Sequence, residues 1–249
     1  MALQKSEAGK QFFSCGLEQP AGSFRFSEDA LVLANAAAAL PLPEDSAVCD
    51  LGTGCGVAAF AVLMQHPGWV AAGLEKEPEL AAAAERNAVR LDLASRFCSV
   101  RGDAAEESAL RLLRSSLESL RGEQGKSGGP LFDAVMCNPP WKMANRGRVS
   151  PGYLRRSALF GTDDTYRIFF SAADRLLKNR AVLIAVAGAE RTADMLAALP
   201  DRLNPELLTF CLTRGGTDAE WVILLARKNG RAQLKVSMQM QQDSAFRPE

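Results

Sequence analysis

The sequence predicts a single α/β domain in which helices cover both faces of a mostly parallel sheet. Short apolar segments alternate with amphipathic or alanine-rich segments along the chain, the pattern of a doubly wound sheet. A glycine-rich turn joins the first such pair. Two late apolar segments follow one another with Gly215-Gly216 between them, which predicts an antiparallel terminal hairpin and seven strands in all.

The elements follow in a regular order. Apolar residues that end at Asp50 predict the first strand, and Pro78 followed by acids marks a helix start. Leucine spacing predicts a helix over 106–120, and glycine and serine predict a loop over 121–130. The predicted helices are 28–40, 57–65, 78–93, 106–120, 164–178 and 190–199; the predicted strands are 46–50, 68–74, 97–100, 132–137, 181–186, 207–212 and 220–226.

Composition limits the functional class. The chain has 249 residues, 47% apolar and 23% charged, which suits one folded domain over 1–236, with an N-terminal segment at 1–45 and a polar tail at 237–249. It has no run of eighteen apolar residues and no signal-peptide pattern, so we expect a cytoplasmic protein without a membrane span. A single histidine, His66 in a turn, and six cysteines without C-x-x-C spacing predict neither a metal site nor a Ser-His-Asp triad.

The strongest motif is Asp50-Leu51-Gly52-Thr53-Gly54-Cys55-Gly56, between the first strand and its helix. Such a turn is a ligand cradle with close backbone approach. The dinucleotide fingerprint needs glycine or alanine at position 57, which is valine. A carboxylate repels a pyrophosphate and attracts an ammonium or a sulfonium, and S-adenosylmethionine (SAM) carries both cations. We therefore assign SAM binding to Asp50, Gly52, Thr53, Gly54 and Gly56, with Asp50 at the methionine end.

Two further acids follow the next strands. Glu75 comes after the second strand, where an acid hydrogen-bonds ribose hydroxyls in nucleotide-binding α/β folds, and Glu77 competes for the role. Asp103 follows the third strand and is placed to accept a hydrogen bond from the adenine amino group. The interpretation gives the ribose to Glu75 and the adenine to Asp103.

A second motif, Asn138-Pro139-Pro140-Trp141, follows the fourth strand. Two prolines stop the strand and remove two donors, so carbonyl groups face outward at the carboxyl edge. An exocyclic planar amino group becomes nucleophilic when acceptors hold both its hydrogens. The Asn138 oxygen and the Pro139 carbonyl supply two acceptors, and Trp141 a stacking face. Asn138, Pro139, Pro140 and Trp141 are assigned as catalytic residues, and Asn138 is also assigned to the cofactor-binding residues.

The charge balance is even overall, with 29 basic and 29 acidic residues, which shows no nucleic-acid-like excess. Its distribution is uneven, because residues 134–162 contain no acid. A basic stretch of this kind faces phosphates or is a solvated loop, and charge alone does not separate the two. Its cations are Lys142, Arg146, Arg148, Arg155 and Arg156.

The glycine motif resembles the first motif of class I SAM-dependent methyltransferases, and N-P-P-[YFW] is typical of those that methylate planar amino groups. The segments 24–34, 147–151 and 218–236 resemble the bacterial valine-tRNA adenine-N6 methyltransferases. The resemblance implies a Rossmann-like SAM methyltransferase fold, SAM as the cofactor, and methyl transfer to adenine in RNA, tRNA in particular. With RNA as the substrate, we expect Trp141 to stack on the target base and the cations of the basic stretch to contact phosphates, namely Arg146, Arg148, Arg155 and Arg156.

The chain departs from that family in three places. Trp141 stands where tyrosine or phenylalanine is usual, no acid follows Ser150-Pro151 in 157–161, and 104–131 is long. A glutamine methyltransferase acting on release factors is the main alternative, although 49 residues before Asp50 are few for the helical domain of those enzymes. Methylation of ribosomal RNA or of a small-molecule amine, an inactive RNA-binding module, and an NAD oxidoreductase are the others.

Overall fold

A computed structural model describes residues 13, 16–23, 28–123, 129–140, 142–143, 160–161, 164–212 and 217–240. The α-helices are α1 Glu28–Ala38, α2 Val57–Gln65, α3 Pro78–Arg90, α4 Glu107–Glu123, α5 Thr165–Leu176 and α6 Thr192–Ala197. The strands are β1 Ala47–Leu51, β2 Val70–Glu75, β3 Phe97–Arg101, β4 Phe132–Cys137, β5 Lys142–Met143, β6 Phe160–Gly161, β7 Leu177–Gly188, β8 Leu203–Leu212, β9 Ala219–Lys228 and β10 Lys235–Met240.

The main sheet has eight strands in the order β10-β8-β9-β7-β4-β1-β2-β3. Strands β3, β2, β1, β4 and β7 pair in parallel, whereas β9 runs antiparallel to both β7 and β8. Since β1 has β2 on one side and β4 on the other, the strand order reverses at β1. The carboxyl ends of the strands beside such a reversal form the crevice in which open α/β sheets bind ligands.

The core lies on both faces of the sheet, as the alternation of side chains along β1 shows. Val48 packs in the cluster that contains Phe60 of α2, while Cys49 and Leu51 pack in the cluster with Leu113 of α4. This period of two is that of a strand buried on both sides. Burying each large side chain contributes about 1.5–3 kcal/mol. The side chains buried on both faces of the sheet therefore hold β1 and its neighbours in place.

The α/β class, the parallel sheet and the antiparallel terminal strands are confirmed. The predicted count of seven strands is wrong, since β10 pairs in parallel with β8 as an eighth. Residues 237–240, assigned to the tail, lie in this strand. Val236 and Met238 are 62% and 75% exposed, so β10 is held by its backbone ladder rather than by burial and leaves a weak apolar pattern. The tail prediction for 241–249 lies outside the described residues.

Other boundaries shift by a few residues. Helix α5 ends at Leu176 instead of 178, and β7 begins at Leu177 instead of 181. Lys178 pairs with Asp133 at 2.7 Å, so the start of β7 is fixed by a charge contact that the apolar pattern does not reveal. In the described part of the chain, no helix is long and apolar enough to cross a membrane.

Candidate active site

The carboxyl edge of the sheet collects four of the polar residues that the sequence singled out. Asp50 lies in β1, Glu75 ends β2, Asp103 follows β3 and Asn138 follows β4. Because β1 sits between β2 and β4, the glycine loop after β1 lies at the centre of this edge. The fold therefore brings the two sequence motifs together at one crevice.

The glycine loop has a backbone that only glycine adopts without strain. Gly52, Gly54 and Gly56 have φ angles of 75°, 58° and 94°, in the left-handed region. At Gly56 a Cβ atom would also lie 2.2 Å from the Phe60 ring, so α2 could not begin there with any other residue. The spacing of the glycines thus reflects the turn itself as well as ligand access.

The loop's backbone donors point into the protein. The amides of Gly52 and Thr53 both donate to the Leu74 carbonyl, at 2.8 and 3.1 Å, and the Gly54 amide donates to Glu75 Oε2 at 2.9 Å. A phosphate-binding loop needs such amides free to face the anion. This loop is consequently poorly suited to hold a pyrophosphate.

The buried carboxyl of Asp50 also disfavours a pyrophosphate at this loop. Its carboxyl is 3% exposed and accepts a hydrogen bond from the Thr53 hydroxyl at 2.8 Å. Burial, the largest effect, and the nearby Glu75 raise the pKa of Asp50 to about 7, against the lowering effect of the bonds from Thr53 and the Ala59 amide. The carboxyl thus occupies the N-terminus of α2, where an anionic ligand would otherwise bind, and favours a cation beside it.

Glu75 is fixed against the same loop. One carboxylate oxygen accepts from the Gly54 amide and the other from the Glu77 amide, both at 2.9 Å. Burial, the largest effect, raises the pKa of Glu75. Each oxygen retains a second lone pair for a ligand hydroxyl. Glu77 is as buried as Glu75, so the choice of Glu75 for the ribose rests on its contact with the loop and stays a prediction.

Asp103 closes the cofactor side of the edge. The Gly102 amide donates to the Glu75 carbonyl at 3.0 Å, which ties the end of β3 to that of β2. Asp103 Oδ1 accepts from the Ala105 amide at 2.9 Å, which forms an Asx turn. Its predicted contact with adenine stays a prediction, as does direct contact of Asp50 with the methionine end.

The N-P-P turn contains a contact that the sequence analysis missed. Asn138 Nδ2 donates to Asp29 Oδ2 at 2.9 Å across 109 residues of sequence. Pro139 is buried and Pro140 half-buried beside it. Asp29 looks like an ordinary first-turn acid of a helix, which needs no burial. The sequence does hold one sign that Asp29 is buried: it lies one turn before Leu33, on the apolar face of α1.

The structure describes residues on either side of the predicted substrate-binding residues but not those residues themselves. Trp141, Arg146, Arg148, Arg155 and Arg156 lie outside the described residues, and their roles stay predictions. Directly after the N-P-P turn, Lys142 and Met143 pair in parallel with Phe160 and Gly161. The described residues on either side of 144–159 are therefore neighbours shortly after the N-P-P turn.

His66 lies in the turn between α2 and β2, as predicted. A histidine in a turn is expected to be solvated, but this ring is half-buried. Its ring stacks on Trp69 at 3.8 Å, and Nε2 forms a hydrogen bond with the Ala38 carbonyl at 2.8 Å. Within the described ranges, no three His, Cys, Asp or Glu side chains group where they could hold a metal ion.

The sheet order, the inward-bonded glycine loop and the acids at the edge give the chain the fold of class I SAM-dependent methyltransferases, and the resemblance seen in the sequence is confirmed at this level. A solved structure described as a predicted O-methyltransferase, protein Atu636 from Agrobacterium tumefaciens, matches with a TM-score of 0.60 and 20% identity, over 88% of this chain and 92% of that one. No family model matches the chain.

Two curated relatives differ in what they methylate. A release factor glutamine methyltransferase from Rhodospirillum rubrum is 30% identical over 159 residues, 61% of this chain and 43% of that protein. A tRNA1(Val) (adenine(37)-N6)-methyltransferase from Porphyromonas gingivalis is 34% identical over 92 residues, 37% of this chain and 31% of that protein. The chain thus spans less than half the length of either relative.

Replacing Asp50 with asparagine should alter how stability depends on pH. The raised pKa of Asp50 means that its stabilising effect is fully present below the unfolded value of about 4 and is lost as pH rises through about 7. We expect the unfolding free energy of wild type to fall relative to Asp50→Asn by about 1 kcal/mol per pH unit over this window. Urea denaturation at several pH values measures it.

The exposed Asp45 provides a matched control, because Asp45→Asn makes the same chemical change away from the edge. Its unfolding free energy should run parallel to that of wild type with pH. Saturating SAM should weaken the pH dependence of wild type, since a bound cation favours the ionised carboxylate. A pH-independent difference between wild type and Asp50→Asn would contradict the assignment.

Proposed function

We propose that the protein is a SAM-dependent methyltransferase that transfers a methyl group to the exocyclic amino nitrogen of adenine in RNA, and of tRNA in particular. The observation that carries the proposal is the position of Asn138. It lies at the carboxyl end of β4, beside a glycine loop that is bordered by buried acids. A cofactor cradle suited to a cation and a pair of acceptors for a planar amino group therefore share one crevice.

The residues at the edge fit SAM. Asp50 and Glu75 supply buried carboxyls, 3% and 7% exposed, whose ionised forms a sulfonium or an ammonium would stabilise. Glu75 retains lone pairs for ribose hydroxyls, and Asp103 for the adenine amino group. When bound, SAM supplies a methyl group on a positively charged sulfur. The inward bonding of the Gly52, Thr53 and Gly54 amides disfavours NAD and other pyrophosphates.

Asn138 and Pro139 hold the acceptor amine. The Asn138 side-chain oxygen and the Pro139 carbonyl accept the two amino hydrogens, which draws the nitrogen toward sp3 geometry and exposes its lone pair. The prolines carry no amide hydrogens, so no donor of the turn competes for these acceptors. Trp141 stacks on the base. The only histidine, His66, lies between α2 and β2, so attack on the methyl group is direct and uses no histidine base.

The basic stretch favours RNA as the substrate. Five cations without an acid lie between Ala134 and Thr162, and the pairing of β5 with β6 brings residues 160–161 next to residues 142–143, shortly after the N-P-P turn. Phosphates on either side of a target base would meet such a stretch. Protein glutamine is the second candidate, because its side-chain amide is also planar and the release factor relative matches over a longer region.

Asn138→Ala should abolish most of the turnover while cofactor binding remains. Loss of one preorganised polar group in a closed site costs about a hundredfold or more in rate, whereas the cofactor contacts lie on β1 to β3. Single-turnover assays at saturating SAM, with an unmodified tRNA1(Val) transcript and nucleoside mass spectrometry, measure this rate. The exposed Asn179→Ala serves as the control and should behave as wild type.

A glutamine peptide from a release factor is assayed in parallel. Methyl transfer to the peptide and none to the transcript would replace adenine by glutamine as the substrate. Wild-type rates for Asn138→Ala on either substrate would mean that the N-P-P turn is structural and that the chemistry lies elsewhere.

The basic stretch should determine the salt dependence of RNA binding. Replacing four of its arginines with alanine removes phosphate contacts, so the slope of log K against log salt should flatten by about 0.7–0.9 per lost contact. Filter binding of the transcript over a range of salt gives the slope. The four positions are Arg146, Arg148, Arg155 and Arg156.

A control replaces exposed arginines at Arg90, Arg111 and Arg231, away from this stretch. Those changes should leave the slope close to that of wild type. An equal slope in the quadruple variant and in wild type would reject the phosphate-binding role of the stretch and favour the peptide.

A further inference from the structure

The first turn of α1 contributes a buried carboxylate to the N-P-P turn. Asp29 is 5% exposed and its Oδ2 accepts a hydrogen bond from Asn138 Nδ2 at 2.9 Å. Helix α1 packs against α2, β4 and β7, so its position relative to the end of β4 is fixed by the core. The carboxylate is therefore held in place independently of any substrate.

Asp29 Oδ1 accepts from the Ala30 amide within α1 at 3.0 Å, while Oδ2 faces Asn138. An acid in the first helical turn favours the helix from a solvated position, which the exposed Glu28 already occupies. Burying a carboxylate is unfavourable unless it is hydrogen-bonded. The bond to Asn138 is the contact of Asp29 that reaches the carboxyl edge of the sheet.

The chemistry of the pair leaves one orientation for the Asn138 amide. An ionised carboxylate only accepts hydrogen bonds, whereas the amide has a donor end and an acceptor end of nearly the same shape. Only the nitrogen end can face Asp29. The oxygen end is then turned away from α1 and is available to accept a hydrogen bond in the crevice.

We propose that Asp29 is a positioning residue that orients the Asn138 amide with its nitrogen toward α1 and its oxygen toward the substrate amino group. The inference rests on the proposed function for the identity of that amino group. A reversed amide would place its own NH2 against the substrate NH2, and two donors facing each other lose the hydrogen bond. Asp29 thus makes the site select a planar group that donates over one that accepts, such as a base carbonyl.

Two substitutions of Asp29 test whether its role depends on accepting the Asn138 hydrogen bond or on its negative charge. Asp29→Leu removes the acceptor with similar size, and Asp29→Asn keeps an oxygen but lets both amides turn. We expect kcat on the tRNA1(Val) transcript to fall at least about tenfold in Asp29→Leu and less in Asp29→Asn. Affinity for S-adenosylhomocysteine and the melting temperature of Asp29→Asn should stay near wild type. Asp45→Asn, an exposed change of the same kind, is the control.

The coupling between the two residues is tested in the Asn138→Ala background. If Asp29 acts through the amide, Asp29→Leu should cost less than about twofold there, although it costs at least tenfold in wild type. Equal losses in both backgrounds would show that Asp29 acts on its own or on the fold, and would overturn the proposal.

Side-chain amide NMR tests the orientation without any substrate. The Asn138 NH2 signal, identified by its loss in Asn138→Ala, should exchange slowly in wild type and several-fold faster in Asp29→Leu. An exchange rate unaffected by Asp29→Leu would overturn the proposal, as would full turnover in that variant. If neither transcript nor peptide is methylated by wild type, the proposed function fails, and the NMR result still decides the orientation of the amide.

Discussion

The site depends on the buried carboxyl of Asp50 beneath the start of α2. Asp50 accepts hydrogen bonds from the Thr53 hydroxyl in the glycine loop and from the Ala59 amide in the first turn of α2. It thereby holds the loop against the start of α2, where the helix dipole favours an acid. With the amides of Gly52, Thr53 and Gly54 bonded to β2, the place where other α/β proteins hold a phosphate offers carboxyl oxygens in place of amide donors. A cationic cofactor follows from this charge arrangement.

A second constraint links the two halves of the crevice. The cofactor half is built by β1, β2 and β3, and the amino-group half by the turn after β4. Because β4 pairs directly with β1, the distance between the halves is set by the sheet ladder. Helix α1 then locks Asn138 through Asp29. Positioning of this kind, held by a rigid scaffold before substrate arrives, is what accelerates a direct transfer.

The sequence predicted the parts of the site that are local in the chain. Glycines with positive φ, acids at the carboxyl ends of the first three strands and a double proline leave patterns within a few residues, and the parallel sheet brings them together. The Asp29 to Asn138 bond joins residues 109 apart, so no local pattern predicts it. Strand β10 was missed because its side chains are exposed, and the inward direction of the loop amides depends on β2.

Isothermal titration of ligands tests most directly the claim that the loop selects a cationic nucleoside over a pyrophosphate. S-adenosylhomocysteine, which retains the ammonium, should bind at least about tenfold more tightly than NAD. Glu75→Gln should weaken that binding, and Glu79→Gln, an exposed acid at the start of α3, should not. Equal or tighter binding of NAD by wild type would contradict the account.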